Sequence, residues 1–300
     1  AGASIAACAA SASAQLVVGT TTPTTTNGSA FYLDPNTPPA QTLWNSAANK
    51  KVNGLAADTV NGKLYSNDAA RLNFWNYGSV GTVPTFIAGM YRTNDNVTFT
   101  ATGVNDLTFA NGNLYGVTTF GSTVYKRGIY QINITPDAGA HCVMTPIWTD
   151  PTGVGTLSGT IDCQGLEFNP ADNLFYVANM TSSTAYPAGV YTIDAFGSGT
   201  ASLLTAFPAG GTHIDGLTIG GGKVWLTMQS PSTAEVRIFS WDMTTHTYDP
   251  TTLSLPLTDV TQRASAAVWA PGANLPIPAP ATGTALLTAG LIAARRRRPR

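Results

Sequence analysis

The chain has 300 residues, of which 43% are hydrophobic and only 10% are charged. Charged residues usually make up about a quarter of a soluble domain, so a surface this neutral favours an extracellular β protein. Five of the 15 basic residues are clustered in positions 295–300, so the remaining ten face 16 acidic residues and the body is mildly acidic. That balance excludes the broad basic surface by which proteins bind nucleic acids.

The N-terminal segment, residues 1–14, consists mainly of small apolar residues and ends in Ala12-Ser13-Ala14. This pattern is typical of the rear part of a secretory signal peptide, and we predict cleavage after Ala14. Two alternatives remain open. Residues 5–8 also fit a lipobox with lipid on Cys8, and the segment as a whole could form a structural helix.

A short motif recurs along the body of the chain, with its leucines spaced 52, 59 and 51 residues apart. The four copies are Val52-Asn53-Gly54-Leu55, Val104-Asn105-Asp106-Leu107, Cys163-Gln164-Gly165-Leu166 and Ile214-Asp215-Gly216-Leu217. A degenerate fifth copy, Ser265-Ala266-Ala267-Val268-Trp269, follows at the same interval. A repeat of about 50 residues built from short strands is typical of a β-propeller, in which each repeat forms one blade.

Each motif copy predicts the first strand of a blade, and three further strands follow it. A turn rich in Gly and Asn leads to the second strand, with copies Lys63-Leu64-Tyr65, Asn113-Leu114-Tyr115, Leu174-Phe175-Tyr176 and Lys223-Val224-Trp225. The third strand is centred on an aromatic residue, with copies Phe31–Asp34, Tyr91–Asn94, Tyr130–Asn133, Tyr191–Asp194 and Phe239–Asp242. The fourth strand is weaker, with copies Leu43-Trp44, Val97–Phe99, Ile147-Trp148, Leu203-Leu204 and Leu253–Leu255.

We therefore predict an all-β fold, a five-bladed β-propeller formed by residues 15–272. The fifth copy supplies only a first strand, so the closing blade is built from both chain ends, with residues 16–18 as its second strand. The aromatic–glycine motifs resemble the YWTD- and NHL-like propeller repeats of secreted bacterial proteins. This resemblance covers residues 15–270 and implies the fold, whereas propellers host many unrelated activities.

The C-terminal segment, residues 273–300, combines Pro278-Ala279-Pro280, an apolar stretch over 281–294 and the arginine cluster. It resembles the PEP-CTERM sorting signal of exosortase substrates, although Ala279 stands where that family has Glu. The resemblance implies export, transient membrane anchoring by this segment, and delivery to the cell surface or matrix by exosortase-type sorting machinery. The alternative is an ordinary transmembrane anchor, because arginines that follow an apolar helix also satisfy the positive-inside rule.

The first strands of a propeller line its central channel, so the residues just before each motif leucine are expected to form a ring at one end of it. The predicted ring residues are Asn53, Asn105, Asp106, Gln164, Asp215 and Ser265, with His213 and Asp162 just outside the ring. Three roles are open: hydrogen bonding to exposed strand ends, binding of a polar ligand such as a sugar, and Ca²⁺ coordination by Asp106 and Asp215.

Glu167 is the one carboxylate at a channel position that is otherwise held by neutral residues. The matching residues are Ala56, Thr108, Thr218 and Val268. Glu167 is either a catalytic acid or base, or it pairs with a nearby Arg or Lys. A glycosidase would need a second carboxylate, and the candidates are Asp58, Asp106, Asp162 and Asp215.

Two further pairs of residues leave alternatives open. Export permits a disulfide between Cys142 and Cys163, but the predicted strands place them at opposite ends of neighbouring strands. Trp75 and Tyr77 are predicted to pack between blades, and the alternative is that they stack on sugars.

We expect an exported, non-catalytic surface or matrix protein that binds a polar ligand, such as exopolysaccharide, at the channel face. A surface protein is the other partner considered. The alternative is a secreted hydrolase or lactonase-type enzyme that uses Asp215, Asp106 or Glu167, with Ca²⁺ as an optional cofactor. The sequence contains no nucleophile elbow, zinc-protease motif or phosphate-binding loop that would identify a reaction.

Overall fold

The computed structural model describes most of the predicted propeller, and all of the described elements are β-strands. The described residues are 16–21, 29–33, 41–45, 52–68, 71–77, 84–88, 90–93, 98–99, 104–118, 127–150, 161–180, 183–229, 235–257 and 263–270. The predicted signal peptide at 1–14 and the predicted sorting segment at 273–300 lie outside these residues. Within them, no helix is long and apolar enough to cross a bilayer.

The strands form five sheets, which are the five blades of a β-propeller, numbered I to V with the closing blade last. Blade I contains β4 (Gly54–Asp58), β5 (Lys63–Asn67), β6 (Leu72–Asn76) and β7 (Thr85–Ala88). Blade II contains β10 (Asp106–Ala110), β11 (Asn113–Thr118), β12 (Gly128–Ile132) and β13 (His141–Thr149), with β8 (Met90–Thr93) and β9 (Thr98–Phe99) added at its outer edge. The all-β, five-bladed prediction is confirmed.

The remaining three blades follow the same order from the channel outwards. Blade III contains β14 (Cys163–Asn169), β15 (Leu174–Asn179), β16 (Gly189–Ile193) and β17 (Ala201–Ala206). Blade IV contains β18 (Ile214–Gly220), β19 (Lys223–Gln229), β20 (Glu235–Asp242), β21 (Thr247–Tyr248) and β22 (Leu253–Pro256), the last two both paired with β20. Blade V contains β23 (Arg263–Trp269), β1 (Leu16–Thr21), β2 (Ser29–Leu33) and β3 (Gln41–Asn45).

Blade V closes the ring, as the degenerate fifth motif predicts. Strand β1 runs antiparallel to β23, with Leu16 opposite Trp269 and Val18 opposite Ala267. The five inner strands, β4, β10, β14, β18 and β23, each contact the inner strands of both neighbouring blades. The first and last described strands are therefore hydrogen-bonded to each other, and the ring has no open end.

The hydrophobic core is divided into five layers, one between each pair of neighbouring blades. Successive residues of an inner strand enter different layers because strand side chains alternate between faces. In β4, for example, Leu55 packs towards blade V and Ala56 packs towards blade II. A blade therefore buries both of its faces only when it has two neighbours, and this makes closure necessary for stability.

Two of the predicted strands belong to a different blade from the one expected. Residues 91–94 were expected to give the third strand of blade I, but β6 has that position. Residues 90–93 form β8, which pairs in parallel with β13 of blade II, and residues 98–99 form β9 beside it. Both 72–76 and 90–93 contain a central aromatic residue, and only the long-range parallel pairing distinguishes them.

The cysteines and aromatic residues left open by the sequence have clear positions. Cys142 and Cys163 are buried and unpaired, because Cys142 faces blade I and Cys163 lies in the layer between blades II and III. Trp75 is 4% exposed and packs in the layer between blades V and I, with Tyr77 beside it. The packing interpretation of these two aromatic residues is confirmed.

Removal of β23 should open the ring. A chain ending at residue 259 loses β23 and exposes the apolar face that blade V shares with blade IV. We expect a loss of several kcal/mol in unfolding free energy, or of the cooperative transition altogether, measured by denaturant titration. The matched control ends at residue 274 and keeps β23. Equal stability of the two chains would contradict closure by β23.

Candidate functional site

Five of the predicted ring residues lie at the same level of the five inner strands. They are Asn53, Asn105, Gln164, Asp215 and Ser265, and each side chain is half-buried. We call these five residues the entrance ring. Because all inner strands start at this end of the channel, the ring brings together amide, carboxyl and hydroxyl groups from every blade.

β-Bulges position three of the five side chains. The pairing register shifts between Cys163 and Gly165 and between Ile214 and Gly216, so Gln164 and Asp215 are the extra residues. Ser265 is the extra residue in the same position of β23. A bulge turns a side chain out of the regular alternation, which explains how these residues face the entrance. Sequence reasoning missed the bulges, although a small residue follows each extra residue.

Hydrogen bonds connect neighbouring blades at the entrance. The Asn105 amide nitrogen donates to Gln164 Oε1 at 2.7 Å, and the Gln164 amide nitrogen donates to Asp162 Oδ1 at 3.2 Å. The Ser265 hydroxyl donates to the carbonyl oxygen of Val52 and so joins blades V and I. The amide planes of Asn105 and Gln164 are therefore fixed relative to each other before any ligand arrives.

Asp106 lies one residue deeper than the ring and is fully buried. Its Oδ1 accepts the N–H of Leu107 at 2.9 Å and of Leu55 at 3.4 Å, and its Oδ2 accepts the N–H of Leu166 at 3.0 Å. One carboxyl group thus bridges the inner strands of blades I, II and III. The sequence predicts that Asp106 binds a ligand or calcium, but the residue is 0% exposed in the structure. Its hydrogen bonds instead join neighbouring blades.

The pKa of Asp106 is raised well above its ordinary value, because burial penalises the charged form. The three backbone N–H groups lower the pKa, and the nearby charge of Glu167 raises it further.

Glu167 makes the same kind of contact between blades, at the level of Thr108, two residues beyond Asp106 along the inner strand. The Thr108 hydroxyl donates to Glu167 Oε1, and the Thr218 hydroxyl donates to Oε2 at 2.7 Å. Both threonines also accept a backbone N–H of the following blade, from Phe168 at 3.2 Å and from Trp269 at 2.8 Å. Glu167 accepts the N–H of Ile219 in the equivalent way.

The environment of Glu167 raises its pKa to about 7, because burial outweighs the hydrogen bonds from the threonines and the backbone. Its partners are hydroxyls and N–H groups of the neighbouring inner strands, in place of the Arg or Lys considered from the sequence. Glu167 is therefore a neutral-pH titrating group that is held between three blades.

His213 and Asp162 lie outside the entrance ring. His213 is exposed and adopts a left-handed backbone conformation with φ of 62°, just before β18. Asp162 is 6% exposed and accepts from Gln164. Among the described residues, no group of three or more His, Cys, Asp or Glu side chains is close enough to hold a metal ion. Calcium binding by Asp215 stays a prediction.

Comparison with known proteins identifies a fold and no family. No model of a known protein family matches the sequence, and no curated protein matches it. A chain in the crystal structure of a nidogen/laminin complex is similar, with a TM-score of 0.51 and 15% identity over 86% of this chain and 98% of that chain. This likeness supports the β-propeller fold alone.

Two further solved structures are more distant and support no conclusion. One is a candidate 6-phosphogluconolactonase of Bacteroides fragilis NCTC 9343, with a TM-score of 0.46 and 11% identity over 85% of this chain and 97% of that chain. The other is a protein of Lactobacillus plantarum, with a TM-score of 0.37 and 15% identity over 82% of this chain and 67% of that chain.

Titration of Glu167 should make stability fall as pH rises. Its pKa is about 7 in the folded chain and near 4.5 when unfolded, so between these values the folded state holds a proton that the unfolded state has lost. We expect the unfolding free energy to fall by roughly 3 kcal/mol from pH 4.5 to 7.5, and less in Glu167→Gln. Denaturant titrations at each pH measure this.

Glu235→Gln is the matched control, because Glu235 is the other glutamate of the chain and pairs with Arg237 on the outer part of blade IV. This variant should keep the pH dependence of the wild type. The same slope in Glu167→Gln as in the wild type would contradict the raised pKa.

Proposed function

We propose that this chain is an exported, non-catalytic β-propeller that binds a polar ligand at the entrance ring, with exopolysaccharide as the ligand class. The observation that carries the proposal is the pair of amides at the entrance, Asn105 and Gln164, held at 2.7 Å from each other across two blades. Each amide offers donors and an acceptor in a fixed plane, which suits the hydroxyl groups of a sugar.

The burial and charge of the entrance support a neutral, hydroxyl-rich ligand. Each ring side chain is half-buried, so a hydrogen bond to a ligand forms in a partly water-excluded site and is stronger than on an open surface. Asp215 is the one acidic residue among the five, and none is basic. A polyanion or a phosphorylated ligand would find no cation in this ring to pair with.

The two chain ends support export. Residues 1–14 have the composition of a signal peptide, and residues 273–300 have the proline motif, apolar stretch and arginine cluster of a sorting signal that exosortase-type machinery removes. We expect the protein at the cell surface or in the matrix, anchored to the membrane only transiently.

Intact-mass analysis of protein from the native cell envelope should therefore find residues 1–14 and the C-terminal segment absent. A mature mass that includes both segments would contradict this.

A secreted hydrolase or lactonase-type enzyme is the second candidate, and Glu167 is the observation in its favour. A carboxyl with a pKa of about 7 is suited to general acid or base catalysis near neutral pH. Two threonine hydroxyls and backbone N–H groups occupy its oxygens, however, and this supports the structural role. We therefore rank binding first.

Removal of either entrance amide should weaken ligand binding and leave the fold intact. We expect Asn105→Ala and Gln164→Ala to weaken retention on immobilised columns of neutral polysaccharides, such as dextran, levan and cellulose, by tenfold or more, because each variant loses amide donors and acceptors. Glu167→Gln is the control and should bind as the wild type does.

The outcomes separate the two candidates. Equal retention of the entrance variants and the wild type would contradict binding at the ring. Turnover of an ester, lactone or glycoside probe that is lost in Glu167→Gln or Asp215→Asn would establish the enzyme in its place. Binding to a purified surface protein, without retention on any polysaccharide, would show that the ligand is a protein and that exopolysaccharide is the wrong ligand class.

A further inference from the structure

A groove of about 430 Å³ lies on blade II at the end of the propeller opposite the entrance ring. It is formed by the turn after β10, the end of β12 and the middle of β13, all of which are fully described. Its volume is in the range typical of small-molecule sites, about 300–1,000 Å³. The entrance ring contributes none of the groove-lining residues, so the groove is a separate place on the molecule.

Four side chains on neighbouring strands form a regular array in the groove. Gln131 of β12 lies directly opposite Thr145 of β13. Two residues further on, Asn133 donates its backbone N–H to the carbonyl of Val143, so this second pair is also opposite. Because residues two apart in a strand share a face, all four side chains are on one side of the blade.

Hydrogen bonds within the groove hold the amides in place but leave part of their capacity unused. Gln131 donates one N–H to Asn113 Oδ1 at 2.8 Å, and Asn113 also hydrogen-bonds the Tyr115 hydroxyl and the Asn111 carbonyl. Asn133 Oδ1 accepts the N–H of Thr135 at 2.9 Å. The Gln131 oxygen and second amide hydrogen, and the Asn133 amide nitrogen, have no hydrogen-bond partner among the described residues.

The surroundings of the array are neutral and partly apolar. None of the residues that line the groove, all within the described ranges, carries a charge. Leu114, Ile134 and Val143 supply the aliphatic part of the lining. Planar amides beside an aliphatic surface match a sugar ring, which has hydroxyls at its edge and C–H groups on its faces.

We infer that the groove of blade II is a second binding site, for a neutral polyhydroxylated ligand of the uncharged oligosaccharide class, with Gln131 as the central contact. Gln131 and Asn133 hydrogen-bond the hydroxyls, Thr145 adds a hydroxyl, and Val143 contacts the C–H face. The lack of charge in the lining excludes recognition of an acidic sugar by ion pairing. The site does not depend on the entrance ring, and it would stand if the proposed function failed.

Isothermal titration calorimetry with defined probes tests this. The probes are cellohexaose, laminarihexaose and maltohexaose, which are uncharged, and hexagalacturonate, which is acidic. We expect saturable binding of at least one uncharged hexaose, with the dissociation constant raised tenfold or more by Gln131→Leu. Gln164→Leu removes the same side chain from the entrance ring, so titration of this variant separates binding at the ring from binding at the groove. Hydrogen–deuterium exchange should show ligand protection in residues 131–145.

Three results would overturn the inference: no binding of any uncharged hexaose, an unchanged dissociation constant in Gln131→Leu, or binding of hexagalacturonate alone. If Gln131→Leu lowers the unfolding temperature, Thr145→Val decides, because it removes an exposed hydroxyl with little change in volume. Affinity lost only in Gln164→Leu would support the entrance ring and overturn the groove. Affinity lost only in Gln131→Leu would support the groove and contradict binding of these probes at the entrance ring. The experiment therefore distinguishes failure of one proposal from failure of the other.

Discussion

The inner strands of neighbouring blades approach so closely that three of them have no room for a side chain at the position that follows the entrance-ring residue. A Cβ atom on Gly54, Gly165 or Gly216 would lie 2.8, 2.7 or 2.6 Å from a backbone atom of the next blade. This approach brings backbone N–H groups of one blade within reach of side chains of another. Since buried N–H groups need acceptors, the ring closes only where the sequence supplies them. Asp106 accepts two such N–H groups, from Leu55 of blade I and from Leu166 of blade III.

The need for acceptors at the blade boundaries distinguishes polar residues that stabilise the fold from polar residues that are available for binding. Asp106, Thr108, Glu167 and Thr218 all accept backbone N–H groups across a blade boundary, and their polarity is used within the fold. The entrance amides differ because they are only half-buried, and the amides of blade II differ because they line an open groove. Binding is therefore expected at the two ends of the propeller, with the carboxylates of the channel wall holding the blades together.

The sequence predicts the five-bladed architecture well because the repeat depends on local features, namely the inner strand of each blade and the hairpin turn that follows it. Leu55, Leu107, Leu166 and Leu217 mark inner strands, and the hairpin turn after each has its own signal, as at Asn111-Gly112, where both φ angles are positive. The position of β8 and the bulges depend on contacts between distant segments, which periodicity does not record. The burial of Asp106 was missed for the same reason, and the groove follows from the register of β12 and β13.

The pairing of β1 with β23 also places both ends of the described chain at one end of the propeller. Leu16 lies opposite Trp269, so the chain enters and leaves blade V at the same end, which is the end of the hairpin turns. A membrane attachment through the C-terminal segment, as proposed above, would start from that end. The entrance ring, at the start of β23, would then lie at the end of the propeller opposite the point of attachment, and the groove of blade II would lie at the same end as that point.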